Sequence, residues 1–288
     1  MRLDKAGWDI PAPQDFREND RMELPLTDQE ANWLLQQGRQ AKYHAAWGQW
    51  YRWRLAESAK PQEFTADEIW QWFHLTAQRI LGKPYEVTDY NRWILNQLCL
   101  YFAGDKRFEK DGRSLEKGIM LRGGVGCGKT TLLTLFAGNP RQPFEVTPCE
   151  DVVGTYMQPR EKGGREALRR FKQLNRIPSA HEPMYNYRQW MGHCFDDLGT
   201  EDWNARHMGG DPFNCMAGVL SGIDDAVVAG RMPRHAVHLT TNLLFDDYQV
   251  DGENIPGIES IYGTRVRSRI RGLMNVLTFP NDAPDLRA

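Results

Sequence analysis

The stretch GGVGCGKTT, residues 123–131, decides the fold class of this chain. From Gly123 to Thr130 it fits the phosphate-binding loop pattern G-x-x-x-x-G-K-[ST]. Residues 118–122 before it are typical of a short buried strand, and residues 131–137 after it are typical of a helix start. A strand, a loop and a helix are the context in which this pattern binds phosphate. The sequence therefore predicts a nucleotide site on an α/β fold.

The chemistry of the loop suggests a role for each of its residues. Glycines allow backbone N–H groups to surround phosphate oxygens, and the helix start adds the positive end of its dipole. Lys129 would reach the β- and γ-phosphates of ATP, and the Thr130 hydroxyl would bind Mg²⁺. The predicted nucleotide-binding residues are Gly123, Gly124, Val125, Gly126, Cys127, Gly128, Lys129, Thr130 and Thr131.

Two further motifs place polar side chains at the ends of apolar runs. The stretch HCFDDLG, residues 193–199, has the Walker B form, in which Asp196 would hold Mg²⁺ and Asp197 would orient or deprotonate the attacking water. The stretch VHLTTNL, residues 237–243, would place Asn242 beside the γ-phosphate. An acidic turn and an Asn cap are the structural alternatives. Downstream of a phosphate loop, the catalytic interpretation is favoured.

Short apolar runs alternate with helical patterns over the second half of the chain. The runs lie at residues 119–121, 144–146, 190–195, 236–241 and 276–279. This alternation predicts a parallel sheet that is covered by helices on both faces.

The first part of the chain has a different composition, because seven of the ten tryptophans precede residue 73. Helices are predicted over residues 27–57, 65–81 and 88–102, with Thr27 and Thr65 as capping residues. We therefore predict a small all-α adaptor domain over residues 1–85 and an ATPase domain over residues 86–288. Tryptophan is highly buried on average, so most of these side chains are expected in a core. Anchoring of a protein partner is the alternative.

The composition of the chain excludes several classes of protein. Its 288 residues are 41% hydrophobic and carry a net charge of −2, so any contact with nucleic acid must come from a local patch. No apolar run approaches the length of a bilayer span, and no apolar signal region follows the first residues. The five cysteines are scattered without a C-x-x-C pair, which favours reduced thiols in a cytoplasmic protein.

The stretch YGTRVRSRIR, residues 262–271, carries alternating arginines. On an isolated helix they would form a solvated surface. In an oligomer, one of them could stabilise charge on the phosphoryl group that a neighbouring subunit transfers, as an arginine finger does.

The order of these four motifs resembles that of AAA+ ATPases of the DnaC/DnaI helicase-loader branch, in the versions found in phages and mobile elements. The resemblance runs from about residue 101 to the last residues. It implies a P-loop AAA+ sheet, ATP with Mg²⁺, and a homo-oligomer that forms a ring or a helical filament. Lys129, Thr130, Asp196, Asp197 and Asn242 would serve one subunit. By position in the motif, Arg269 would be the finger that serves the next subunit, with Arg265 as its rival.

The resemblance also extends to the end of the chain and departs from the family at two points. The stretch PDLR, residues 284–287, is similar to the family's Asp-Arg-Arg ending, which implies nucleotide contact for Arg287. Asp197 stands where many AAA+ members have Glu, whose side chain is one methylene longer. The N-terminal region resembles no loader N-domain, and it lacks zinc-binding cysteines because the first cysteine is Cys99.

Residues 160–176 are locally basic, and the candidate DNA-binding residues within them are Arg165, Arg169, Arg170 and Lys172. In the AAA+ helicase loaders and initiators that this sequence resembles, an extra helix lies in this region and faces the channel of the ring. Single-stranded DNA would suit that place, because its phosphates attract Lys and Arg without sequence preference. A solvated charged surface is the alternative.

Three functions therefore stay open at this point. The leading hypothesis is an ATP-dependent DNA replication protein, similar to helicase loaders, which binds single-stranded DNA and recruits a replicative helicase. The first alternative resembles IstB, a transposition ATPase that recruits a transposase to duplex target DNA. The second alternative is a nucleotide switch in a defence or signalling complex that binds no DNA by itself.

Overall fold

The computed structural model describes residues 25–58, 63–176, 190–250 and 252–286. The chain divides into two compact units, Met1–Pro61 and Gln62–Ala288. In the first unit, the described element is helix α1 (Asp28–Ser58). Its start is the expected capping box, in which Thr27 N–H donates to Glu30 Oε2 over 2.8 Å and Glu30 N–H donates to Thr27 Oγ1 over 3.3 Å.

The described tryptophans of α1 are not core residues. Trp47 is 41% exposed and stacks on Tyr51, and Trp50 is 46% exposed. Burial of a tryptophan needs a second element packed on its face, and no described side chain of this helix is buried. The expectation of a tryptophan core is therefore wrong for Trp47 and Trp50.

The second unit begins with helices α2 (Ala66–Leu81) and α3 (Asp89–Ala103). Thr65 caps α2 as the sequence predicted, and it does so in a capping box with Glu68. Gly82 ends the helix in the left-handed conformation. Phe73 of α2 stacks on Phe136 of the helix that follows the glycine-rich loop, with ring centroids 4.9 Å apart. Because of such contacts α2 belongs to the unit that contains the sheet, and the predicted boundary at residue 85 differs from this division by one helix. Independent folding of residues 1–85 stays a prediction.

The sheet confirms the predicted α/β class. Its strands are β1 (Gly118–Arg122), β2 (Phe144–Pro148), β3 (Asn175–Arg176), β4 (Trp190–Leu198), β5 (Val237–Thr241) and β8 (Met274–Thr278). The order β2-β4-β5-β1-β8 is parallel throughout, and β3 pairs with β4 in the antiparallel sense. Strands β6 (Tyr248–Val250) and β7 (Glu253–Ile255) form a separate hairpin.

Helices cover both faces of this sheet. They are α4 (Lys129–Phe136), α5 (Cys149–Met157), α6 (Gly164–Ala167), α7 (Cys215–Val228), α8 (Ile258–Tyr262) and α9 (Thr264–Leu273). Successive side chains of a strand point to opposite faces. Ile119 and Leu121 accordingly join the core that includes α2, α3 and α4, whereas Met120 joins the core that includes α5, α7 and α9.

The strand order decides where polar groups can meet. β1 lies beside β5, and β5 lies beside β4, all in the same direction. The carboxyl ends of these three strands therefore share one edge of the sheet, which is where open α/β sheets bind ligands. None of the described helices is both long and apolar enough to cross a membrane. All five cysteines are buried and unpaired.

Candidate nucleotide site

The glycine-rich loop joins the end of β1 to the start of α4, as the sequence predicted. Gly126 and Gly128 have φ angles of 76° and 95°, in the left-handed region where a Cβ is strained. Gly123 lies close to Phe279, the residue that directly follows β8. A Cβ on Gly123 would lie 2.7 Å from Phe279 Cβ. The loop therefore needs glycine at these positions to keep its curvature.

Lys129 is a buried cation whose described partners are all uncharged. Its side chain is at the first position of α4, and the residue is 5% exposed. Nζ donates to Gly123 O over 3.1 Å, to Gly124 O over 2.8 Å and to Asn242 Oδ1 over 2.6 Å. No ion pair joins Lys129 to a carboxylate among the residues described. A buried charge is costly unless it is paired, so this lysine suits a bound anion.

The two Walker B acids lie on a bulge at the end of β4. The pairing with β5 slips by one residue between Phe195 and Leu198, and Asp197 has a left-handed φ of 54°. A bulge re-aims side chains, and it separates the two acids here. Asp196 is buried and accepts a hydrogen bond from Thr130 Oγ1 over 2.9 Å. Asp197 lines the open cleft.

Thr240 is a residue of this site that the sequence interpretation missed. Its hydroxyl donates to Asp196 Oδ1 over 2.6 Å and accepts the backbone N–H of Asp197 over 2.7 Å. A single hydroxyl on β5 thus fixes both acids on β4. The signal was present in the sequence, because Thr240 lies in the apolar strand VHLTT, where a buried hydroxyl needs a polar partner.

These groups enclose a cleft of about 160 Å³ at the carboxyl edge of the sheet. Its lining includes most of the predicted site, namely Val125, Gly126, Gly128, Lys129, Thr130, Thr131, Asp197 and Asn242, together with Leu286, which was not predicted. No cluster of three or more His, Cys, Asp or Glu that could hold a metal occurs in the described part of the chain. The hydroxyl of Thr130 and the carboxylate of Asp196 still fit Mg²⁺, which is usually bound by one or two carboxylates together with phosphates.

Cys127, within the loop, is close to Lys129 but is not set up as a nucleophile. Its Sγ is 3.8 Å from Lys129 Nζ. Burial raises the pKa of this thiol, and the nearby lysine charge opposes that shift only in part. A protonated thiol is unreactive, so Cys127 is a small side chain that the loop packs inward.

The tail of the chain folds over the loop. Leu286 N–H donates to Gly126 O over 3.1 Å. The Asp285 carboxylate fills the space that a Cβ on Gly126 would need. Arg287, the predicted nucleotide contact, lies outside the described residues. The sequence interpretation named Arg287 but missed its two neighbours, which reach the loop from a position remote in the sequence.

The candidate finger arginines of α9 have different surroundings. Arg269 Nε lies 3.2 Å from Asp224 Oδ2, and its second nitrogen lies 3.1 Å from Asp225 Oδ1, both on α7. Arg265 is exposed, and its side chain makes no ion pair or hydrogen bond within the described residues. The structure thus uses Arg269 inside its own chain and presents Arg265 to solvent.

The basic segment lies on the surface and is anchored by apolar residues. Leu168 and Phe171 are buried, whereas Arg165, Arg169 and Arg170 are exposed. Arg165 lies over the Phe213 ring at 4.5 Å, and Arg169 pairs with Glu166 over 2.9 Å. Burial lowers the pKa of Lys172, with the charge of Arg165 as the next cause. The exposed arginines are therefore the part of this segment that a ligand can reach.

No protein-family model matches the sequence, and no curated protein is similar to it at a significant level. Among solved structures, the crystal structure of DnaI is similar, with 16% sequence identity and a TM-score of 0.39. The alignment covers 70% of this chain and 88% of the DnaI chain. A likeness this distant carries no functional argument, so the function has to be argued from the site.

Proposed function

We propose that this protein binds ATP·Mg²⁺ and hydrolyses ATP. The observation that carries the proposal is the buried Lys129 ammonium at the mouth of a glycine loop, whose partners among the described residues are all uncharged: two backbone carbonyls, the Asn242 amide oxygen and the Cys127 thiol. In the bound state Lys129 would leave these oxygens for the β- and γ-phosphates, and backbone N–H groups of residues 124–130 would surround them.

The remaining residues of the cleft support hydrolysis rather than binding alone. Thr130 and Asp196 would hold Mg²⁺, whose charge stabilises the phosphoryl group during transfer. Asp197 would orient the attacking water or take its proton. Asn242 would change its hydrogen bond from Lys129 to the phosphate or that water. Thr240 would keep both acids in place during these changes.

The alternating arginines support a shared site between subunits of a homo-oligomer. Because Arg269 is held by Asp224 and Asp225, we propose Arg265 as the residue that reaches a neighbour's phosphate, with Arg269 as the alternative. The position of Leu286 against Gly126 supports the proposal that Arg287 contacts the nucleotide.

We further propose that the ATPase acts in DNA replication as a helicase-loader-like protein of the AAA+ type. The motif order and the exposed arginines of the basic segment support this role. Single-stranded DNA would bind the arginines, and a replicative helicase would bind the region before the sheet. Preference for duplex DNA with capture of a transposase would favour the transposition alternative, and absence of DNA binding would favour the nucleotide switch.

Two substitutions test the ATPase proposal. Lys129→Ala should abolish tight binding of a fluorescent ATP analogue, because it removes the cation that faces the phosphates. Asp197→Asn should retain binding and lose phosphate release, because it removes only the base. Glu145→Gln on β2 is the matched control for Asp197→Asn, because it also replaces one carboxylate by an amide but lies outside the cleft. It should keep the wild-type rate of phosphate release. Full turnover in Asp197→Asn would overturn the assignment of Asp197 as base.

A further inference from the structure

A buried carboxylate follows the Walker B acids in the chain, four residues after Asp197. Glu201 is 4% exposed. Its Oε2 accepts the backbone N–H of Gly199 over 2.9 Å, and its Oε1 accepts the Tyr262 hydroxyl over 2.7 Å. No Lys, Arg or His forms an ion pair with it in the described ranges. Both oxygens are thus held by neutral donors from two distant parts of the sequence.

The protonation state of Tyr262 maintains its hydrogen bond to Glu201 at neutral pH. Burial raises the pKa of the Tyr262 hydroxyl, and the charge of Glu201 raises it further. The hydroxyl therefore stays protonated and donates at neutral pH. Burial of the Glu201 carboxylate without a cation beside it is costly in free energy. Two apolar side chains with the volume of Glu201 and Tyr262 would fill the same space at a smaller cost. The cost suggests a role for this bond beyond filling the core.

One end of the bond belongs to the turn that carries the catalytic groups. Gly199 follows Asp197 by two residues and has a φ of 110°. A Cβ on Gly199 would lie 2.5 Å from Leu243 Cδ1, and Leu243 directly follows Asn242. Any shift of Asp197 and Asn242 toward bound phosphate would therefore move the backbone that Glu201 holds.

The other end belongs to the start of the arginine helix. Tyr262 is the last residue of α8, and only Gly263, with a φ of 84°, separates it from α9. Arg265 lies in the first turn of α9. A movement of Tyr262 therefore changes the direction in which α9 presents this arginine.

We propose that Glu201 and Tyr262 are positioning residues that link the phosphate site of one subunit to its own arginine helix. Binding of ATP at the turn of residues 196–199 would move Glu201, and the Tyr262 hydroxyl would transmit that movement to α9. One subunit's nucleotide would then control the arginine that it offers to its neighbour. This inference rests on the proposed ATPase function.

Hydrogen exchange of the full-length protein, with and without an ATP analogue that has an imido β–γ bridge, tests the link. In the wild type, the analogue with Mg²⁺ should slow exchange in residues 123–131 and, by about tenfold, in residues 264–273. Tyr262→Phe removes one oxygen and keeps the ring. It should retain the effect in residues 123–131 and lose the effect in residues 264–273.

Two further variants separate the link from general loosening of the core. Tyr156→Phe removes a hydroxyl from the same core, where Tyr156 is 5% exposed, and it should behave as the wild type. Glu201→Gln should behave as Tyr262→Phe does, and it carries the test if that variant does not fold. Three results would overturn the inference. The slowed exchange at residues 264–273 could persist in both Tyr262→Phe and Glu201→Gln, it could be absent in the wild type, or it could be lost in Tyr156→Phe. Absence of protection at residues 123–131 in the wild type would instead overturn the ATPase proposal, and the inference with it.

Discussion

Arg265 and Arg269 lie on the same helix and differ in what they contact. The resemblance favoured Arg269 by position in the motif. Sequence position could not show that Asp224 and Asp225 of α7 hold its guanidinium. These carboxylates are 45 and 44 residues away in the chain, so their pairing with Arg269 depends on the packing of α7 against α9.

We predict that Arg265→Ala lowers ATP turnover by about 10³-fold, because a finger stabilises charge only in the transition state. Its melting temperature should stay at the wild-type value, because Arg265 makes no ion pair among the described residues. Arg269→Ala should lower the free energy of unfolding by about 1 kcal/mol, because it removes two partly exposed ion pairs, with Asp224 and Asp225. Phosphate release measures the turnover, thermal unfolding measures the melting temperature, and urea denaturation measures the free energy of unfolding.

Subunit mixing gives the control for this prediction. Arg265→Ala subunits mixed with Lys129→Ala subunits should recover part of the activity, because each variant supplies the group that the other lacks. If only the mixture that contains Arg269→Ala recovers activity, then Arg269 is the finger and its ion pair must open in the oligomer.

His238 predicts a pH dependence of stability. It is fully buried on β5, and burial lowers its pKa to about 3. Its Nδ1 accepts the Ile119 N–H over 3.1 Å. A depressed folded-state pKa means that the unfolded chain binds the proton first. Stability is therefore complete above about pH 6.5 and falls as the pH decreases toward 3.

Between pH 7 and pH 5, His238 should contribute a loss of about 2 kcal/mol to the free energy of unfolding. His238→Asn keeps an acceptor for Ile119 N–H and should show a shallower loss, although its stability at pH 7 is lower. His44→Asn, an exposed substitution on α1, should keep the wild-type dependence. Urea denaturation at both pH values measures the slopes, and equal slopes in wild type and His238→Asn would contradict this account.

At the scale of elements, the strands and the phosphate loop could be predicted because their signals are local. Each predicted apolar run became a strand of the sheet, and the capping box at Thr27 and the helix cap at Thr65 formed as expected. The bulge at Asp196 and Asp197 could not be predicted, because it depends on the register between β4 and β5. The apolar strand around Thr240 did indicate a buried hydroxyl that needs a partner, but the identity of its two partners depends on this same register, because they lie on the neighbouring strand.

The basic segment gives a prediction at this scale. Arg165, Arg169 and Arg170 are exposed around the buried anchors Leu168 and Phe171. Changing these three arginines to glutamate should weaken single-stranded DNA binding on all sequences alike and leave ATP binding intact. The slope of log affinity against log salt should become shallower by about 2, since each lost phosphate contact in single strands removes about 0.7.

The matched control reverses the same number of charges on another face. Arg79, Lys83 and Lys110 are exposed cations of the helical region before the sheet, and their change to glutamate should leave the salt slope intact. Fluorescence anisotropy with labelled oligonucleotides measures both slopes. Equal affinity of the two triple variants for single-stranded DNA would contradict the DNA-binding role and favour the alternative, that the segment is only a solvated charged surface.

At the scale of the whole molecule, the division of the chain depends on aromatic packing that the sequence did not reveal. A helix in a tryptophan-rich region suggested membership in an N-terminal domain. Phe73 of α2 instead stacks on Phe136 of α4, and Phe102 of α3 stacks on the same ring at 5.0 Å. Because of these contacts, the unit that holds the site begins at Gln62. Long-range contacts of this kind leave no periodic signal in the sequence, so the predicted boundary at residue 85 missed them.

This division predicts different results for two truncations. Removal of residues 1–61 should preserve the melting temperature and basal ATP turnover of the remaining unit. Removal of residues 1–85 also deletes Phe73 and should cost at least 3–5 kcal/mol, about the value for loss of one buried phenylalanine side chain. Thermal unfolding and phosphate release measure both effects. Equal stability of the two truncated proteins would show that α2 does not support the core.

The shorter truncation also tests the proposed role of the first unit. Aromatic side chains that fill a pocket of a partner supply much of the binding energy of an interface, and Trp47 is half exposed on α1. If this unit recruits the helicase, removal of residues 1–61 should abolish capture of the purified replicative helicase and leave ATP turnover intact. Trp47→Ala in the full chain should weaken capture at least fivefold, whereas Gln49→Ala, two residues further along the same helix, should not. Capture that survives the truncation would place the helicase contact in residues 62–288, and capture of a transposase instead would favour the transposition alternative.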